Sequence, residues 1–201
     1  LDNSDPSPQI IVSSAHLGIF PATFPSRDRI DWLPVDKLAT ILLEILQTVS
    51  TTHSATTTTQ DGPGGAQVFH VVNPHPASWQ TDLSPIIAGA LGVRAVEFPE
   101  WVSALRASAE EAIASGHIDL DRNPAIRLLE FYEGAAAAEA PRMLSSARAE
   151  EASLALAKVG PVGEGWLWVW LEQWGLVTVS KTWGGCDGQG GGDGMRVLKL
   201  L

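Results

Sequence analysis

The sequence predicts an α/β fold, and three observations carry that expectation. Two β-branched, apolar runs at residues 68–72 and 93–98 are each followed by a helical pattern, giving the strand–helix–strand–helix rhythm of α/β domains. Leu38, Ile41, Leu42, Ile45, Leu46 and Val49 recur at helical spacing, so that one apolar stripe is expected to face a core. The second half then repeats helix punctuation, with proline at starts and glycine at ends.

Taken in order, Ser7-Pro8 reads as an N-cap and first helical residue, with Gly18 as the stop. Residues 20–29 hold two prolines and read as loop. Residues 30–35 read as a short strand or extended stretch, because Pro34 cannot donate to a ladder. Asp36 is expected to cap the amphipathic helix that follows. Residues 50–67 are rich in Thr, Ser and Gly without periodicity, a long flexible loop. The run at 68–72 suits a strand buried on both faces, which makes His70 a hydrogen-bonded core histidine; Asn73-Pro74-His75-Pro76 ends it. Ser78 or Thr81 starts a helix with Leu83, Ile86, Ile87 and Leu91 inward, and Gly92 ends it. Pro99 opens a helix that carries Trp101, Leu105 and Ile113. Asn123-Pro124 is a further start signal, ahead of Ile126, Leu129 and Tyr132, and residues 146–158 read as one helix. Residues 165–174 fit both a helical face and strand alternation; Gly175 favours helix. A Gly-rich tail follows, and no internal repeat is present.

The chain has 201 residues, enough for one good-sized domain that buries about 70% of its unfolded surface. Acidic residues outnumber basic ones 23 to 13, for a formal charge of −10. That balance opposes nucleic acid and anionic membrane as partners, since both need clustered Lys and Arg. One cysteine, Cys186, excludes an internal disulfide framework and a Cys-based zinc cage. The longest apolar run, residues 166–171, is six residues, against about 20 needed to span a bilayer. Residue 1 is Leu and no secretory signal follows, so a soluble, cytoplasmic chain is expected, either naturally truncated or cropped.

Self-sufficient catalysis is not legible. Gly62-Pro63-Gly64-Gly65 precedes its strand instead of following it, and Gly188-Gln189-Gly190 has Asp193 in place of a third glycine, so neither is a phosphate loop. Tyr132, the only tyrosine, has Ala136 four residues on, and no lysine lies one helical turn after it. Nucleophile-elbow and zinc-protease motifs are also missing, and Cys186 reads as an inert thiol.

Several segments in series nevertheless resemble the C-terminal part of thioester reductase domains. These are extended short-chain dehydrogenases of non-ribosomal peptide synthetases and adenylate-forming reductases. The segments are Ser13-Ser14-Ala15-His16-Leu17-Gly18, then Ile30-Asp31-Trp32-Leu33-Pro34-Val35-Asp36, then Val68-Phe69-His70-Val71-Val72-Asn73-Pro74-His75-Pro76. Phe98-Pro99-Glu100-Trp101-Val102, Asn123-Pro124-Ala125-Ile126-Arg127 and Trp170-Leu171-Glu172-Gln173-Trp174-Gly175 continue the series. The resemblance covers residues 7–175 and implies the last part of a Rossmann-like sheet with a mainly helical substrate-binding lobe. The domain layout expected is therefore a reductase segment over 1–175 and a tail of unassigned role over 176–201.

Intact members are implied to use NADPH to release a carrier-bound acyl or peptidyl thioester as aldehyde or alcohol. Their glycine motif and Tyr–Lys pair lie upstream, so no catalytic residue carries over and this chain alone is expected to bind no cofactor and be inactive. The implied partners are the upstream half of the reductase domain and a phosphopantetheine-bearing carrier protein. Asn73 and His75 follow a strand end, where α/β ligand crevices form, although turn chemistry explains Asn73-Pro74 equally well. Ser14 and His16 are candidates to line an acyl channel, against a plain core or surface role. The tryptophans of 166–174 read as packing. A second reading makes the chain a non-catalytic α/β remnant that binds a carrier protein or subunit. Under either, a sheet strand deprived of neighbours becomes a sticky edge, so the isolated chain is expected to self-associate.

Overall fold

The computed structural model describes residues 6–25, 27–55, 67–135, 138, 143–180 and 196–197. Its elements are α1 (Pro6–Leu17), β1 (Ile19–Pro21), β2 (Arg29–Ile30), α2 (Val35–Ala55) and β3 (Ala77–Ser78), followed by a π-type turn, Trp79–Leu83. Then come α3 (Ser84–Leu91), β4 (Arg94–Val96), α4 (Phe98–Ala114), a 3₁₀ turn at Pro124–Leu128 and α5 (Leu129–Ala135). The last are α6 (Ala147–Ala152), α7 (Leu154–Ala157), α8 (Glu164–Gln173), β5 (Val179–Ser180) and β6 (Arg196–Val197). Mixed helix and strand agrees with the α/β class. Helix dominates.

The chain divides into two compact units. The first comprises Leu1–Asp28, Ser78–Ala140 and Gly163–Leu201. In it β1 and β4 pair in parallel, Ile19 opposite Arg94 and Pro21 opposite Val96, with α1, α3 and α4 packed against β1. Its core is aromatic. Phe20 stacks on Trp79 at 5.4 Å, Phe24 stacks on Phe98 at 5.0 Å, and Trp101 meets Tyr132 edge-on at 5.1 Å. Such pairs add about 0.5–1.5 kcal/mol each beyond the area they bury. Ser78 caps the turn into α3: its hydroxyl accepts the Thr81 N–H, while its own N–H goes to Asp82. Gly92 ends α3 with φ +63°, a left-handed stop that a Cβ would strain.

The second unit comprises Arg29–Ala77 and Pro141–Val162, with α2 as its long element and α6 and α7 packed against it. Glu44 of α2 ties them together. Its carboxylate accepts the Ser153 hydroxyl at 2.7 Å and the Ala155 N–H at 2.9 Å, while the Thr48 hydroxyl donates to the Ala152 carbonyl.

Several expectations need correcting. The first helix starts at Pro6, so Ser7 lies inside it and is not its cap. Likewise α2 starts at Val35, because the Leu38 N–H already bonds the Pro34 carbonyl; Asp36 sits in the first turn. Residues 20–21, read as loop, form β1 together with Ile19 by pairing with a segment some 75 residues away, which no local signal announces. Among the described residues, neither 31–34 nor 68–72 enters a strand ladder; only Arg29–Ile30 of the first stretch does. His70 is consequently exposed, its ring Nδ1 3.3 Å from the Ser145 carbonyl oxygen. Ile113 is 68% exposed, since α4 outruns the core it packs on. The helix expected over 146–158 breaks at Ser153, which turns extended so that its hydroxyl can accept the Leu156 N–H. Residues 164–173 are helical, and Gly175 stops them with φ +70°. The helix α2 continues through residue 55; residues 56–66 and the Gly-rich stretch with Cys186 lie outside the described residues.

Candidate functional site

The Asn73 turn is built by sequence. Pro74 and Pro76 lack N–H groups, so the extended run must stop there, and Asn73 makes an Asx-type turn by accepting the His75 N–H on its side-chain oxygen at 2.9 Å. Its amide nitrogen donates to the carbonyls of Trp32 at 3.2 Å and Gly160 at 2.9 Å, and its backbone N–H donates to Asp31. Asn73 is fully buried, and both its amide protons serve internal bonds. The Asn73 side chain holds the turn, and His75 beside it is exposed.

Ser14 and His16 sit on α1 in the first unit. Ser14 is fully buried: its hydroxyl donates to the Ile10 carbonyl at 2.7 Å and accepts the Trp101 indole N–H at 2.9 Å. The neighbouring Ser13 hydroxyl accepts the Ala125 N–H, fixing the 3₁₀ turn to α1. His16, in the last turn of α1, is exposed. Replacing Ser14 with Ala is expected to cost about 1–3 kcal/mol, because it leaves a buried indole N–H without an acceptor. Adding Trp101→Phe should then cost less than it does in the wild type, and a double-mutant denaturation cycle measures that coupling.

Two carboxyls are held below their ordinary values by hydrogen bonds from backbone N–H groups. Glu44 is lowered by Ala155 first and the Ser153 hydroxyl second, and Asp119 by the Arg122 N–H. Both are fixed as anions, suited to capping turns and unsuited to donating protons. A lowered folded-state value means that Glu44 contributes stability above its ordinary 4.5, and that this is lost as pH falls through the folded value. Thermal melts should therefore fall off more steeply below about pH 4.5 in the wild type than in Glu44→Gln. Sequence reasoning missed Glu44; its only sign was a carboxylate within an otherwise apolar stretch of α2.

Tyr132, the only tyrosine, is fully buried among Phe24, Trp101 and Phe131, far from the exposed, lysine-paired setting of a proton-exchanging tyrosine. The residues at the β4–α4 junction do not fit a dinucleotide pyrophosphate. This parallel strand enters its helix through Glu97 and Phe98, without glycine, and places Glu97 at the N-cap and Glu100 in the first turn, where their charges oppose phosphate. Among the described residues no cluster of three His, Cys, Asp or Glu could hold a metal ion, and no helix is long and apolar enough to cross a membrane.

No protein-family profile matches the sequence. Individual relatives do. Carboxylic acid reductase of Neurospora crassa is 31% identical over 174 residues, 83% of this chain and 15% of the relative. Adenylate-forming reductase Nps10 of Heterobasidion annosum is 29% identical over 64% of the chain and 10% of its own length. The 3-methylorcinaldehyde synthase tropA of Talaromyces stipitatus is 30% identical over 66% of the chain and 4% of its own length. The chain thus spans less than a sixth of each of these proteins.

Proposed function

We propose that this chain, which belongs with the thioester reductase domains of adenylate-forming reductases and polyketide synthases as a C-terminal part of one, forms the substrate-lobe portion of an NADPH-dependent reductase. Such a reductase releases a carrier-bound acyl or peptidyl thioester as aldehyde or alcohol. Identity of 31% with a carboxylic acid reductase over 83% of the chain carries this reading. The aldehyde in the name of the tropA synthase supports release at that oxidation level.

Residues 1–175 are the reductase segment in this account, and 176–201 a tail. In this reading, cofactor binding and proton transfer belong to polypeptide upstream of the matched segment, as the resemblance to thioester reductase domains implies. The chain's own part is to shape the acyl pocket and hold the thioester in register, the positioning share of the barrier. In the second unit His75 is the exposed candidate to meet the substrate, and Asn73 fixes the turn that carries it. In the first unit His16 is the exposed candidate, while Ser14 packs α1 against Trp101. The phosphopantetheine arm of a carrier protein delivers the thioester, in the cytoplasm.

Two preparations test this. The isolated chain given an acyl thioester and NADPH should yield no aldehyde. A chimera in which the chain replaces the matched 174 residues of the Neurospora reductase should reduce its acid substrate. Turnover by the isolated chain would overturn the division of labour.

A further inference from the structure

In a chain with a formal charge of −10, an arginine without an acid partner is the exception. The first unit pairs Arg94 with Glu100, Arg106 with Glu133 and Arg122 with Asp119. Arg27 and Arg127 pair with no carboxylate among the described residues, and both are exposed. They also converge on one ring. The Arg27 guanidinium lies over Phe131, 5.4 Å from the ring centroid, and Phe131 is itself 36% exposed. Arg127 precedes Phe131 by four residues, one helical turn. Leu129 between them keeps right-handed helical angles, so the 3₁₀ turn runs into α5 unbroken. A helical side chain leans toward the N-terminus, and Phe131 therefore leans over the turn that carries Arg127.

Both cations stand on buried footings. The Arg27 N–H bonds the Phe24 carbonyl at 2.8 Å, and Phe24 is buried, stacked on Phe98, in the loop that leaves the carboxyl end of β1. Carboxyl ends of parallel strands are where α/β proteins take ligands. Arg127 belongs to the 3₁₀ turn whose Pro124 and Ala125 are buried, and whose Ala125 N–H is held by the Ser13 hydroxyl at 2.9 Å. Backbones fixed in advance keep the ordering cost of binding low. Acids adjacent in sequence do not cancel the pair. Asp28 accepts the Ser78 hydroxyl and the Gln80 N–H, and Glu133 faces Arg106; exposed Glu130 is left against two cations.

Two guanidiniums around an exposed ring suit a phosphate carried on a chain of carbon and amide groups. Planar forks match phosphate oxygens in paired hydrogen bonds, and the ring offers a face to the carbons beside them. The phosphopantetheine arm has that chemistry, with a phosphodiester at one end and the thioester at the other. We propose that Arg27, Arg127 and Phe131 seat the phosphate end of the arm and so set how far the thioester reaches into the pocket. The proposal rests on the reading given under Proposed function and assigns first-unit residues to the delivered substrate. Neither guanidinium touches the reacting carbonyl; both are positioning residues.

Binding to the isolated chain reads the seat without catalysis. Phosphopantetheine and pantetheine, which lacks the phosphate, are titrated by ligand-observed NMR. The phosphorylated compound should bind at least about tenfold more tightly. Arg27→Gln combined with Arg127→Gln should abolish that preference, while Arg94→Gln keeps it. Arg27→Lys combined with Arg127→Lys should restore part of it, because charge returns without the fork. Equal binding of the two compounds overturns the proposal, as does a preference that survives the double Gln variant. Inorganic phosphate binding as tightly as phosphopantetheine also overturns it and marks an adventitious ion only. In the chimera, acyl phosphopantetheine should show a KM at least about tenfold below that of acyl pantetheine, with kcat within about twofold. Turnover with equal KM values would sink the seat alone. No turnover of either thioester, with the binding preference intact, would sink the functional reading alone.

Discussion

Replacing Trp79 with Ala is expected to destabilise the first unit by about 4 kcal/mol, the largest effect of any single substitution proposed. The side chain is fully buried, stacked on Phe20 and edge-on to Phe24 at 5.6 Å, so its removal opens a cavity on two aromatic faces. Its indole N–H also donates to the Pro21 carbonyl at 3.0 Å, on β1. That carbonyl keeps a second donor, the Ser84 hydroxyl at 3.3 Å, so the polar part of the loss is softened. Trp79→Phe should consequently cost less than half as much as Trp79→Ala, because ring volume outweighs the hydrogen bond. Urea denaturation followed by far-UV circular dichroism measures both. A Phe variant as unstable as the Ala variant would mean that the bond to Pro21, and not packing, holds the turn.

Asn73→Ala is the second large effect, about 3 kcal/mol, and has a different origin. The volume removed is small. What is lost is a side-chain donor to two carbonyls, Trp32 and Gly160, and the acceptor for the His75 N–H, all at a fully buried position. Three segments distant in sequence then lose their common tie. His75→Ala, one turn away and exposed, should change stability by less than about 0.5 kcal/mol. That contrast separates positioning from contact: loss of Asn73 should lower the melting temperature, whereas loss of His75 should leave it in place. Equal stability losses from both would show that the imidazole is part of the scaffold.

Helix ends and periods were legible where the signal was local. Gly18, Gly92 and Gly175 take positive φ as their positions after apolar periodic runs imply, and the tryptophan-rich stretch is a helix because Gly175 closes it. Pairing between distant segments was not legible. The strand at 19–21 exists only because 94–96 lies beside it, and 68–72 has the composition of a strand but enters no ladder among the described residues. Composition states what a segment can do in a sheet; the neighbour decides whether it does. The same limit applied to α2, whose apolar positions were visible while their division between buried Ile41 and Ile45 and exposed Leu42 and Leu46 depended on where α6 and α7 pack. Of the four candidate residues, Asn73 stood out by its place after a strand-like run and Ser14 through the resemblance, and neither signal tells that their polar atoms serve internal bonds. Ser153, which breaks a seemingly continuous helix to form a cap with Glu44, gave no sign beyond being a serine within a helical run.

The most direct measurement is the rate of aldehyde formation by the chimera, with NADPH consumption followed in parallel. The parent Neurospora reductase and a version lacking the 174-residue segment serve as references. Aldehyde production within about a hundredfold of the parent, from a deletion that makes none, is the result expected if this chain supplies the substrate lobe, since a positioning error of about 1 Å costs on that order. A chimera that melts cooperatively and still forms no more aldehyde than the deletion would contradict the account.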